Sequence, residues 1–140
     1  MASPAPLPAV HHVAVTVSDL ASSEAWYTRV LGTQPVLSED TGPFHHIVYA
    51  IGGTLLGLHG FPDLATSEAF DERRPGLDHI GFGVASRDDL EEAVRLFDSR
   101  GVRHGEITRL GSFGIDVLPF EDPDGVQLEL TAPVAPAGEG

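Results

Sequence analysis

Two histidines head matching segments of this chain, His12-Val-Ala-Val-Thr-Val17 and His79-Ile-Gly-Phe-Gly-Val84, at an offset of 67 residues. A third segment, Val126-Gln-Leu-Glu-Leu-Thr131, carries Glu129. Successive side chains of a strand point to opposite faces. His12, Ala14 and Thr16 therefore share one face, as do His79, Gly81 and Gly83, and as do Gln127 and Glu129. In each segment the large hydrophobes take the other face. That pattern is a sheet with one packed side and one open side. Two imidazoles and a carboxylate on open faces suit a divalent metal that keeps positions free for other ligands. The same positions also suit solvated or hydrogen-bonded strand residues, and spacing alone leaves both readings open.

The elements that must position these side chains are repeated. Ser18-Asp19 can cap a helix that carries Trp26 with Val30 and Tyr27 with Leu31 as i, i+4 pairs, closed by Gly32. In the second copy Ser86-Arg-Asp-Asp89 has the form of a capping box, Leu90, Val94 and Phe97 give an apolar stripe, and Gly101 ends it. Each helix is followed by short strands around a glycine turn. Ile47–Ile51, Gly52-Gly53 and Thr54–His59 echo Ile115–Phe120, Asp122-Pro-Asp-Gly125 and Val126–Thr131. Gly53 matches Gly125 at an offset of 72, which places five extra residues in loops. The expectation is an α+β fold of two βαβββ modules, over residues 10–60 and 77–132. Residues 61–76 read as the linker, and the Pro/Ala-rich stretches 1–9 and 133–140 as flexible tails.

Composition narrows the chemistry. The 140 residues carry 21 acidic and 8 basic side chains, a formal charge of −13, and every basic one is Arg. Such a chain repels phosphate backbones, so nucleic acid and anionic membranes are not expected partners. The absence of Lys removes Schiff-base chemistry. The absence of Cys removes disulfides, thiolate nucleophiles and Cys-ligated metals. No apolar run is long enough to span a bilayer, and the start lacks the features of a signal peptide, so a cytoplasmic location is expected.

His12-Val-Ala-Val-Thr-Val-Ser-Asp-Leu20, Trp26-Tyr27, Val30-Leu31-Gly32, Asp78-His79-Ile80 and Asp122-Pro-Asp-Gly-Val-Gln-Leu-Glu129 together resemble the vicinal oxygen chelate superfamily. That group contains glyoxalase I, fosfomycin-modifying enzymes, bleomycin-binding proteins, methylmalonyl-CoA epimerase and extradiol dioxygenases. The resemblance spans about residues 10–132, and the Asp-Pro-Asp-Gly turn before Leu-Glu is its most specific piece. It implies paired βαβββ modules forming a cup-shaped mixed sheet around one divalent metal (Fe, Mn, Zn or Ni). It also implies a homodimer, with His12, His79 and Glu129 at three of the ligand positions. The repeat partner of Glu129 in the first module is Gly57, where glyoxalase I and the epimerase carry a ligand or base, so those activities are disfavoured. The fosfomycin branch is disfavoured too, because the chain has no Lys and no Tyr after Tyr49.

His59 lies two residues beyond Gly57 on the same face, placed to act as an acid/base or to hydrogen-bond a substrate, or else as a solvated strand-end residue. Alternation lets only one of His45 and His46 look inward and points His11 away from His12. Leu55, and by resemblance Val117, would line the cup as an apolar wall for a hydrophobic or aromatic small molecule, with Gly57 and Gln127 beside them. Trp26, Tyr27 and Phe97 read as packing residues, Asp88, Asp89, Glu91 and Glu92 as a solvated helix start, and Arg73-Arg74 as surface cations. The expected function is a metal-dependent enzyme that chelates neighbouring oxygens of a small substrate, with dioxygenase-like or other Lewis-acid chemistry. The rival is a binding or resistance protein that sequesters a drug or metabolite in the same cup.

Overall fold

The computed structural model describes residues 9–63 and 69–135. The expected tails at 1–8 and 136–140, and the middle of the expected linker at 64–68, lie outside the described residues. The chain divides into two compact units, Met1–Ser67 and Glu68–Gly140.

In the first unit β1 (His12–Thr16) leads into α1 (Leu20–Leu31), followed by β2 (Leu37–Asp40), β3 (His45–Ile51) and β4 (Thr54–Gly60). The strands form one sheet in the order β1-β4-β3-β2, with β1 parallel to β4 and the other pairs antiparallel. The Asp19 carboxylate starts α1 by accepting from the Ser22 N–H at 3.1 Å, and Gly32 ends it at φ 69°. Val15, Leu56, Leu58, Ile47 and Tyr49 are buried at 6% exposure or less. Alternation puts them on one face, where Tyr27 of α1 approaches Tyr49 with ring centres 6.5 Å apart. The Tyr49 hydroxyl donates to Glu24 O at 3.0 Å and pairs with Thr28 Oγ1 at 2.9 Å, so this buried phenol is satisfied by the helix it packs on. Its burial pushes the phenol pKa up.

The second unit repeats the plan: β5 (His79–Gly83), α2 (Arg87–Arg100), β6 (Thr108–Leu110), β7 (Ile115–Glu121) and β8 (Gln127–Pro133). Its sheet order is β5-β8-β7-β6, again with one parallel pair. The capping box is present: Asp89 accepts from the Ser86 N–H at 3.1 Å. The buried stripe of α2 is Leu90, Ala93 and Phe97 rather than one through Val94, which stays half-buried. Both series keep the spacing of a single helical face, and the docked face passes through Ala93. Phe97 meets Phe120 at 4.8 Å over a floor of Leu118 and Leu128.

Each unit is thus one four-stranded mixed sheet with a single helix on one face, the βαβββ module expected from the repeat. The sequence reading quoted two strands after each helix; the third in each unit is a short exposed edge strand, β2 or β6, with weak alternation. β8 continues to Pro133, and the Val134 N–H donates to Gly114 O at 2.9 Å, so ordered structure runs into the stretch read as the C-terminal tail. Among the described residues no helix is long and apolar enough to cross a membrane.

Candidate functional site

The helix-free face of each sheet carries the residues singled out for chemistry. In the first unit the register sets out rows across the sheet. Thr16, His59, His46 and Glu39 form one row; Ala14, Gly57, Val48 and Leu37 form the next; His12, Leu55 and Ala50 form the third. His46 is therefore the inward member of the His45-His46 pair, and His45 instead bonds Ser38 Oγ at 2.9 Å.

The middle row is a low floor. A Cβ added at Gly57 would meet Ala14 Cβ at 3.4 Å and His59 Nε2 at 3.7 Å. The glycine thus leaves the space into which the His59 ring leans. That ring stacks on Phe44 at 4.6 Å with an interplanar angle of 17° and meets His46 edge-on at 5.6 Å. Phe61 closes on Phe44 at 5.3 Å. Burial lowers the His59 pKa, and repulsion from His46 and His12 lowers it further, so the ring is neutral near pH 7 and able to accept a proton. His46 Nε2 is buried without a hydrogen-bond partner and lies 3.9 Å from Glu39. Phe44 and Phe61 were missed as site residues by sequence reasoning, while the choice of His46 over His45 was left open. Phe44 and Phe61 sit in loops flanking strands, and the β3–β4 register brings them to His59.

In the second unit His79 and Gln127 share a row with Glu121, while Gly81, Glu129 and Pro119 share the next. His79 Nε2 stands 3.5 Å from Glu129 Oε2. Its Nδ1 lies 2.7 Å from Asp78 Oδ1, and that hydrogen bond raises the ring's pKa, with the Glu129 and Asp78 charges adding to it and burial opposing. Gln127 spends its amide donors on Glu121 Oε2 and Gly125 O, both at 3.1 Å, which leaves its carbonyl oxygen for a ligand. It helps line a surface cavity of about 320 Å³ with His104, Phe120, Glu121 and Arg103. Val117 is on the open-face side of β7, in register with Thr131, but only 4% exposed, so its wall is largely covered already.

The Asp-Pro-Asp-Gly turn proves to be architectural. Asp122 is 2% exposed, and its Oδ1 accepts from the N–H groups of Asp124 and Val126, both at 2.9 Å, while Gly125 takes φ 82°. This closed Asx turn launches β8 in the register that brings Glu129 beside Gly81. A second buried carboxylate was not anticipated. Asp116, 1% exposed, receives Arg109 Nε at 2.9 Å and Arg87 Nη1 at 3.2 Å, which ties β6 and the start of α2 to β7. The Arg109 hydrogen bond holds its carboxyl below the usual range against the opposing effect of desolvation. Arg73 of the expected linker is engaged by Asp71 at 3.0 Å and holds that carboxyl down to about 2, which fits the surface role expected for it.

One expectation fails here. His11 does not point away from His12; their Nδ1 atoms are 2.8 Å apart and the rings meet edge to face. β1 begins at His12, so His11 lies outside the extended strand and the alternation of strand side chains does not fix its direction.

The sequence-predicted residues are thus brought together in two sets, His12, Leu55, Gly57 and His59 on one sheet and His79, Gln127 and Glu129 on the other. Among the described residues no group of three or more His, Asp or Glu side chains is gathered that could hold a metal ion. The donor chemistry nevertheless fits one. Ligand atoms stand about 2.0–2.2 Å from an ion such as zinc, so two ligands of one ion lie within about 4 Å of each other, as His79 Nε2 and Glu129 Oε2 do.

Comparison with known proteins agrees with this architecture. The chain is 31% identical over 127 residues to the protein YwkD of Bacillus subtilis (strain 168), covering 89% of this chain and 96% of YwkD. It is 28% identical over 138 residues to MhqA of the same organism, provisionally named a ring-cleaving dioxygenase; the match takes in 94% of this chain but 42% of MhqA, so the chain spans less than half of that protein. A crystal structure of a glyoxylase/bleomycin resistance protein/dioxygenase domain from Frankia sp. EAN1pec superposes with a TM-score of 0.82 at 29% identity, over 91% of this chain and 99% of that one. The family model matches residues 9–130, and the chain belongs to the Glyoxalase/Bleomycin resistance protein/Dioxygenase superfamily.

Proposed function

We propose that this protein is a metal-dependent enzyme acting on a small, hydrophobic or aromatic molecule that offers neighbouring oxygens. His12 from the first unit and His79 and Glu129 from the second would hold one divalent ion, the units being drawn from one chain or from two copies in a homodimer. The observation that carries the reading is the His79–Glu129 pair, an imidazole nitrogen and a carboxylate oxygen 3.5 Å apart on an open sheet face. The metal, when bound, supplies Lewis-acid polarisation of substrate oxygens and, if it is iron, access to oxygen chemistry.

The chain's own residues do the rest. Phe44 and Phe61 offer flat apolar surface to a ring, and Leu55 extends it at the other end of the face. The Gly57 floor leaves depth for a substrate that a larger side chain would fill. His59 Nε2 stands over that floor, and its lowered pKa suits it to take a proton from a substrate hydroxyl. With Gly57 in place of a carboxylate, abstraction of a proton by that position, as glyoxalase I chemistry would need, has no base. The ring-cleaving name attached to MhqA is in keeping with an aromatic substrate.

A second reading, sequestration of a drug or metabolite without chemistry, is favoured by the same Phe44–His59–Phe61 stack, which needs no metal to hold an aromatic ring. Elemental analysis of untagged protein separates the two. Near-stoichiometric Fe, Mn, Zn or Ni in the wild type, lost in His79→Ala and Glu129→Gln, is the expected result. Protein that stays metal-free after reconstitution with each of these ions would sink the enzyme reading in favour of sequestration.

A further inference from the structure

His12 and His79 are preceded by residues that occupy equivalent places in the repeat, His11 and Asp78, and each predecessor reaches the Nδ1 of the histidine that follows it. The separations are nearly the same, 2.8 Å for His11 Nδ1 to His12 Nδ1 and 2.7 Å for Asp78 Oδ1 to His79 Nδ1. Both contacts occur at the head of an edge strand, β1 in one sheet and β5 in the other. Neighbouring strand residues ordinarily point apart. His11 and Asp78 each lie one residue before their strand begins, where that rule does not hold them apart, and the recurrence of the contact at matched positions and onto the same ring atom calls for a common reason.

Imidazole chemistry supplies it. A neutral ring carries one N–H and one lone pair, and whichever nitrogen is hydrogen-bonded as a donor leaves the other free to ligate. We propose that His11 and Asp78 are positioning residues that keep the protons of His12 and His79 on Nδ1, so that both rings present an unprotonated Nε2 to a ligand on the open face. This rests on the metal reading above for what the nitrogens bind, but not for how the rings are held. Asp78 is 70% exposed, and among the described residues it is His79 that it bonds. A solvated carboxylate in that place is explained better by orienting a ring than by stabilising the fold.

The two devices differ in strictness. An ionised carboxylate only accepts, so Asp78 admits a single tautomer of its neutral partner. An imidazole can donate or accept through Nδ1. His11 therefore orients His12 only when its own proton sits on Nε2.

The test is carried out on the full chain. Long-range proton–nitrogen NMR of metal-free protein at about pH 8.5, where imidazoles are neutral, reads each tautomer directly. His12 and His79 are expected as Nδ1–H rings. Asp78→Ala should move His79 toward Nε2–H, Asp78→Asn should keep it, since the amide oxygen still accepts, and His11→Ala should move His12. Wild-type rings found as Nε2–H, or rings unchanged in the alanine variants, would overturn the proposal. A merely structural role would not move a tautomer. Competition for Zn²⁺ with a chromophoric chelator is the second readout, with Asp78→Ala expected to weaken binding about 10–100-fold. Zn²⁺ binding that needs His79 and Glu129 but ignores both alanine variants would defeat this proposal and leave the metal reading standing. Tautomers as expected with no Zn²⁺ binding at all would do the reverse.

Discussion

The open faces of the two units are built on one plan and equipped differently. Each begins with a histidine held at Nδ1 by its predecessor, and each has a floor of small residues, Ala14 and Gly57 in one, Gly81 in the other. Beyond that they diverge. Where the second unit has Glu129, the first has Gly57; where the second has Thr131 and Val117, the first has His59 and His46. The packed faces have not diverged in kind: both are aliphatic and aromatic side chains closed by one amphipathic helix with a β-region cap and a left-handed glycine. A repeat constrains the side that must exclude water and leaves the other side free to acquire chemistry. The second unit carries an anionic donor in that row, while the first has a glycine there and, two residues on, a neutral imidazole in an aromatic setting.

The largest effects should come from the shared side. Ile47 and Leu118 are equivalent positions on the packed faces, 2% and 0% exposed. Ile47→Ala and Leu118→Ala should each cost about 2–5 kcal/mol in urea denaturation. A loss under about 1 kcal/mol at either would show that the two packed faces are not built to the same tightness.

The next effect addresses the divergence itself. Gly57→Glu gives the first unit the carboxylate that the second has. The new Cβ meets Ala14 at 3.4 Å, an ordinary contact, but position 57 is buried, so a cost of about 1–3 kcal/mol is expected. The longer side chain must displace the His59 ring from above the floor. Zn²⁺ affinity is expected to rise about tenfold, or 1.4 kcal/mol, while any reaction that uses His59 as a base falls. Unchanged Zn²⁺ affinity would mean that position 57 does not face the ion.

The smallest effect concerns an interaction in the second unit. His104 Nε2 meets Asp98 at 2.6 Å and its Nδ1 meets Gly105 O at 2.7 Å, tying the last turn of α2 to the chain that follows it. The Asp98 hydrogen bond, aided by the Gly105 carbonyl, raises the His104 pKa above its ordinary value. A raised folded-state pKa means stability that is complete below the unfolded value of about 6.5 and is lost as pH rises through the folded one. His104→Gln should therefore cost about 1 kcal/mol at pH 5.5 and much less at pH 9. A cost that does not vary with pH would assign His104 a packing role only.

Local patterns were legible along the chain because they rest on local physics. Alternation marked the faces of β1, β5 and β8, and short-range capping chemistry marked Asp19, Gly32, Ser86 with Asp89, and Gly101. The same alternation could say only that one of His45 and His46 looks inward; pairing of β3 with β4 chose His46. It pointed His11 away from His12, because period two describes residues within a strand and His11 lies one residue before β1 begins. The stripe of α2 runs through Ala93 rather than Val94, a choice that the docking of the helix on its sheet makes and a helical wheel does not.

The amino-acid order by itself determined the doubled module, the helix ends, the glycine turns and the histidines and carboxylate available for chemistry, since each depends on residues within a few positions of one another. Tertiary structure alone decided that His79 faces Glu129 at 3.5 Å and that Phe44 and Phe61 gather around His59. It alone buried Asp116 between Arg87 and Arg109. These contacts join residues brought together by strand register and by helix-on-sheet packing. Register is set by how whole faces bury against each other, and no local stretch of chain carries that information.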